Sequence, residues 1–132
     1  MIDYQYVIDL FESNFQDKDI IPESLERIWF KRAVGRYSFE IQELFYDEEI
    51  QELDTDDPIV ADTLALYMLL FYAERNKSKV NKRSQIVTKD ISLNGGGSIY
   101  SATKNEYDDI LSRLEDLISK QKHPALSEGS HE

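Results

Sequence analysis

Apolar residues recur at helical spacing along most of this chain. Tyr4, Val7, Ile8, Phe11 and Phe15 form one stripe. They predict a first helix from about Asp3 to Phe15, with Asp3 as its N-cap. Asp17-Lys18-Asp19 then reads as a turn. Pro22 stands at a first helical position, and Glu23 and Glu26 suit the positive end of a helix. Leu25, Ile28, Trp29, Ile41, Leu44 and Phe45 predict the buried side of a second helix reaching about Phe45, with Trp29 in the core. Arg32, Gly35 and Arg36 interrupt that stripe. Gly35 costs about 1 kcal/mol relative to alanine in a helix interior and marks a kink or a close helix crossing.

The third helix carries the strongest pattern. Asp56-Asp57-Pro58 is an acidic helix start, and Leu64 to Ala73 is a nearly unbroken apolar block. A helix apolar on most of its circumference is wrapped by other helices. The block is about half the roughly 20 residues that a membrane span needs, so it predicts a buried central helix. That helix is expected to reach about Lys77, or as far as Arg83. Tyr67 and Tyr72 on it need hydroxyl partners or an exposed edge. The last helix has the clearest stripe: Tyr107, Ile110, Leu111, Leu114, Leu117 and Ile118. Thr103 and Glu106 make a capping-box pattern at its start, and Pro124 predicts an end near Lys122.

Two segments break the helical period. Tyr46 to Asp57 is strongly acidic and predicts a short helical turn and a loop. Ile86, Val87, Thr88 and Ile91 have strand character, and Asn94-Gly95-Gly96-Gly97-Ser98 follows as a tip. Residues 86–101 are therefore expected to protrude as an extended arm or small hairpin. The fold class expected is all-α: a small bundle of about four helices around a central buried helix, with that arm before the last one. Residues 1–122 form a single domain, and 123–132 a disordered tail.

Composition agrees. A chain of 132 residues is one domain by size, and scarce glycine (5) and proline (3) favour helices over a turn-rich β fold. The absence of cysteine excludes disulfides and thiolate metal sites and fits a reducing compartment. The start of the chain lacks the basic and apolar regions of a signal peptide.

Charge changes the picture more. The net charge of −11 is unevenly spread. Residues 1–73 hold 17 acids and 5 bases, whereas 74–100 hold 2 acids and 6 bases. So acidic a chain is a poor free-standing DNA binder, because phosphate neutralisation dominates nucleic-acid affinity. Arg75, Lys77, Lys79, Lys82, Arg83 and Lys89 form a basic exit from the central helix. Their ordinary role is to complement a helix C-terminus. Their functional role would be docking to an acidic surface, together with Asn94, Gly95, Gly96, Gly97 and Tyr100 of the arm. Asp47, Glu48, Glu49, Glu52 and Asp54 form the opposed acidic patch, a candidate for self-assembly between copies.

Catalytic patterns are missing. The glycine run lacks the lysine and hydroxyl residue of a phosphate loop. The histidines, His123 and His131, have no partner at metal-ligand spacing within a helix. Asp54-Thr55-Asp56-Asp57 lacks the glycine and distal glutamate of a calcium loop and reads as a solvated face or a helix cap. The many carboxylates single out no catalytic dyad. No enzyme activity, cofactor or metal is expected.

The order of elements resembles the small helical head–tail connector (adaptor) proteins of tailed bacteriophages and prophages. The resemblance rests on Asp56-Asp57-Pro58 opening a buried helix, on Ala65 to Arg75 (Ala-Leu-Tyr-Met-Leu-Leu-Phe-Tyr-Ala-Glu-Arg), on the polar arm Ile86 to Tyr100 and on a closing helix. It covers roughly residues 20–120. It implies a ring-forming structural protein of the virion neck, present in host cytoplasm during assembly. Such a ring docks on the portal protein, extends the DNA channel without specific DNA binding, and receives neck or tail components. The residues by themselves fit a second reading, a small cytosolic interaction or regulatory module that binds an acidic partner. An enzyme with an unrecognised carboxylate site is a distant third.

Overall fold

The structure is a computed structural model that describes residues 1–15, 21–90 and 94–131, with side chains described for 1–15, 21–79 and 101–122. The turn expected at Asp17-Lys18-Asp19 lies outside the described residues. Four helices and one small hairpin follow in order: α1 (Tyr4–Glu12), α2 (Glu23–Glu40), β1 (Tyr46–Asp47), β2 (Glu52–Leu53), α3 (Pro58–Asp90) and α4 (Asn94–His131). The all-α helical bundle expected from the sequence is the fold observed.

Helix α3 is the axis of the bundle. Every residue from Thr63 to Phe71 is buried. A helix satisfies its own backbone bonds, so such a segment is stable only when apolar surface covers it on every side. Helices α1, α2 and α4 all pack on it. Asp57 caps its start: the Asp57 carboxylate accepts the Ile59 N–H at 3.1 Å, which bears out the helix-cap reading of this acidic run.

Helix α1 behaves as its stripe predicts. Tyr4, Val7, Ile8 and Phe11 are buried, and the Asp3 side chain accepts the Tyr6 N–H at 2.8 Å. Helix α2 departs from expectation. It ends at Glu40, five residues early, and its buried line is Glu26, Trp29, Phe30, Ala33 and Tyr37. Ile28 and Phe45, expected inside, are 56% and 61% exposed. Two apolar stripes compete on this helix, and the aromatic one wins. Trp29 packs edge-on to Phe11 and Tyr72, and Phe30 to Tyr4 and Tyr46.

The acidic segment is a hairpin rather than a helical turn. Tyr46 pairs with Leu53 and Asp47 with Glu52, antiparallel. Gln51 closes the turn at φ 56°, a left-handed conformation held by the Tyr4 N–H bonding to its carbonyl at 2.9 Å. The chain's first residues form a third edge: Leu53 N–H donates to the Ile2 carbonyl at 2.8 Å, and Ile2 N–H to Thr55 at 3.0 Å. These long-range bonds, invisible in local pattern, select the hairpin. A lone hairpin would be marginal in water.

The long helices overrun their expected ends. Helix α3 continues through Asp90 and α4 opens at Asn94, so 86–90 and 94–101 are helical rather than an arm or hairpin. Extending a formed helix adds one hydrogen bond per residue fixed, whereas the strand preference of Ile86, Val87 and Thr88 needs a pairing partner. Thr103 and Glu106 accordingly lie inside α4 rather than capping it, and Lys122 does not end it. The stripe of α4 is as expected: Ile110 and Leu114 are buried, with Tyr107, Leu111, Leu117 and Ile118 packed beside them.

Polar groups tie the bundle together where it is driest. Tyr37 on α2 donates its hydroxyl to Gln121 Oε1 on α4 at 2.7 Å. Gln121 Nε2 donates to Thr63 Oγ1 on α3 at 2.8 Å, and Thr63 donates to the Ile59 carbonyl at 2.6 Å. One amide thus satisfies hydroxyls on two other helices. Replacing Gln121 by alanine is expected to cost about 1–3 kcal/mol, because it strands the Tyr37 hydroxyl at a buried site. Chemical denaturation of the wild type and variant checks this.

Candidate functional site

The exposed surfaces of this bundle have distinct chemistries, each set by the element that carries it. The hairpin gathers the whole acidic patch. Glu48 and Glu49 are exposed in its turn, Asp47 and Glu52 are half-buried in its strands, and Asp54 is exposed just after it. Two of these carboxylates build the hairpin itself. Asp47 Oδ1 accepts the Glu49 N–H at 2.9 Å, and Asp54 Oδ1 accepts the Phe45 N–H at 3.0 Å. Glu48 pairs with Lys31 of α2, which holds its carboxyl below the usual range and ties the turn to the helix. Phe45 and Ile50 stand out beside these charges, 61% and 59% exposed.

The basic exit of α3 is only partly described. Arg75 and Lys79 are exposed, while Lys77 is half-buried with its ammonium 4.6 Å from the Tyr107 ring centre on α4. Lys77 therefore also fastens α3 to α4. Of the other residues singled out from sequence, the side chains of Lys82, Arg83, Lys89, Asn94, Tyr100 and the glycines Gly95, Gly96 and Gly97 lie outside the described residues.

A third surface was not legible from the apolar pattern. Ile28, Arg32, Gly35 and Phe39 follow the i, i+4, i+7, i+11 spacing of one helix face, and all four are exposed. Phe39 is 92% exposed. The Arg32 guanidinium lies 4.2 Å from the centre of the Phe71 ring. Arg36 beside it bonds Glu40 at 3.2 Å and lies over Tyr67. Arg32, Gly35, Arg36, Phe39 and Glu40 line a shallow open depression of about 460 Å³. A Cβ at Gly35 would meet nothing within 4 Å, so the close crossing expected at this glycine does not occur among the described residues. The available signal was the interruption of the predicted stripe by Arg32, Gly35 and Arg36.

Tyr67 and Glu26 are the titratable groups most altered by the fold. Tyr67 donates to Glu40 Oε1 at 2.8 Å, and burial followed by that carboxylate pushes its hydroxyl well up. Glu26 is buried, with its Oε2 lacking a hydrogen-bond partner. Burial, then the hydrogen bond and charge of Glu12, push its carboxyl up to about 7. No basic side chain is among those causes. Glu26 is buried on α2, whereas Glu12, at the end of α1, is exposed.

Among the described residues, no group of three or more histidine, cysteine, aspartate or glutamate side chains is arranged to hold a metal ion. None of the helices, over the described residues, is long and apolar enough to cross a membrane. No family model, no curated protein and no solved structure matches this chain.

Two outcomes follow from this geometry. Glu26 has a folded pKa above its ordinary value, so its contribution to stability is full at low pH and is lost as pH rises through about 7. Glu26→Gln is expected to flatten the stability profile between about pH 5 and pH 8, by on the order of 2 kcal/mol relative to wild type. Denaturation midpoints across that range read it out. Gly35→Ala is expected to stabilise the isolated protein by about 0.5–1 kcal/mol, since helix propensity is gained and no neighbour is struck. Its thermal midpoint would rise by a few degrees.

Proposed function

We propose that this protein is a structural adaptor that works by docking to other protein surfaces, of the head–tail connector type found in tailed phages and prophages. The observation that carries this reading is a well-packed helical bundle whose large exposed apolar side chains, Ile28, Phe39, Phe45 and Ile50, stand beside charge of opposite sign on different elements. Exposed apolar groups rimmed by charge are characteristic of association surfaces. Part of the element order that suggested the family supports it, a capped and fully wrapped α3 and the closing helix α4, whereas the polar arm of that order is helical over 86–90 and 94–100. In this role copies form a ring on a portal protein, and the predominantly acidic surface leaves the DNA free to slide through.

The exposed positions of Arg75 and Lys79 keep a second reading in view, a small interaction module that captures an acidic partner protein.

Light scattering after size exclusion, at low and high salt, separates the two. The connector reading expects a species of many copies, formed alone or on the portal protein of the same phage or prophage genome, that loosens as salt screens its charges. A monomer at every concentration and salt, with no binding to that portal, overturns it.

A further inference from the structure

We propose that the acidic hairpin of one copy seats on the exposed α2 stripe of a second copy, with Ile50 against Gly35 and Phe39 and with Glu49 facing Arg32. This pairing rests on the self-associating part of the reading above and names its two contact surfaces.

Both surfaces are exposed among the described residues. The stripe Ile28, Arg32, Gly35 and Phe39 lies on the side of α2 opposite its buried line of Glu26, Phe30, Ala33 and Tyr37. Among the described residues the stripe is exposed, and the space over Gly35 is open. A side chain entering there would touch helix backbone, flanked by Arg32 and the almost fully exposed Phe39 ring. Among the described residues Arg32 has no carboxylate partner; its guanidinium rests on the Phe71 ring.

The hairpin offers the matching shape and charge. Residues 43–57 hold eight acids and no base. Ile50 projects 59% exposed from the turn, directly after Glu49, whose carboxylate is in no ion pair among the described residues. Within its own copy the hairpin is seated on other residues of α2. Tyr46 packs edge-on to Phe30 at 4.8 Å and Glu48 pairs with Lys31, which fixes the hairpin along a different side of α2. The contact is therefore made between copies.

Alternative self-contacts fit worse. Stripe against stripe would oppose Arg32 and Arg36 to themselves, and hairpin against hairpin would oppose carboxylates. The basic exit of α3 could meet the charge of the hairpin. Its described residues Arg75, Lys77 and Lys79, however, present no large exposed apolar group to receive Ile50. Unlike patches that pair between copies generate a closed ring or a filament when repeated head to tail.

The chain contains no cysteine, which makes the test direct. Phe39→Cys and Ile50→Cys are made separately, both at exposed positions, and the two full-length proteins are mixed and treated with a short bis-maleimide cross-linker. The expected result is a covalent heterodimer several-fold in excess of either homodimer, and a ladder from the double variant. Arg32→Glu in the Phe39→Cys protein should suppress the heterodimer several-fold, and Glu49→Arg in its partner should restore it. Native mass is measured on the same samples. Heterodimer with many-copy species supports both the pairing and the ring. Heterodimer with a mass that stops at two copies supports the pairing and overturns the ring. Many-copy species without the heterodimer, or with homodimers alone, overturn the pairing and leave the connector reading standing. Absence of both overturns the pairing.

Discussion

The fold depends on one constraint: the middle of α3 has no face that tolerates water. Residues Thr63 to Phe71 are all buried, and each large apolar side chain among them contributes about 1.5–3 kcal/mol when taken out of water. A single helix cannot shield itself in this way, so α1, α2 and α4 must all be recruited. Recruiting them brings polar atoms inside, and those atoms then dictate the cross-links. Tyr67 reaches Glu40, and the Tyr37, Gln121 and Thr63 side chains join three helices through one amide. These bonds add modestly to stability, but leaving any one unmade would cost more than making it gains. They therefore fix the register of the bundle that burial alone would leave loose.

The distribution of charge follows from the same packing. Helices α1 and α2 turn aromatic residues inward, and burial of Glu26 beside Glu12 favours the protonated form of Glu26. The chain accepts this cost in a region already rich in acids. The hairpin is held at three edges, by the first residues of the chain, by Phe30 through Tyr46, and by Lys31 through Glu48. It is thus an acidic surface on a firm mount rather than a solvated loop. A charged surface with fixed geometry can discriminate among partners, whereas the same charges on a wandering segment would mainly steer them.

The interior is occupied by packing, and the exposed apolar residues sit beside charge on α2 and the hairpin. Phe39 is 92% and Phe45 61% exposed, large apolar groups of the kind that association surfaces cover.

The sequence by itself determined the parts that depend on local period and on a single strongly apolar segment. The stripes of α1 and α4, the Asp3 cap and the all-round burial of α3 were legible because each has one dominant pattern. The acidic patch was legible as composition. Helix α2 was legible in its start and in the burial of Trp29 but not in its whole buried face, because Ile28 and Trp29 belong to rival stripes, and only aromatic partners on α1, α3 and the hairpin decide between them. The hairpin was hidden because its stabilising bonds come from Ile2 and Tyr4, some fifty residues away in sequence. The reach of α3 and α4 is not legible in local pattern because strand preference and capping residues act weakly against a helix already formed. Tertiary structure decided which of two apolar faces became core and which was left outside. Burial free energy is gained only where a complementary surface exists, and that surface is built by distant parts of the chain.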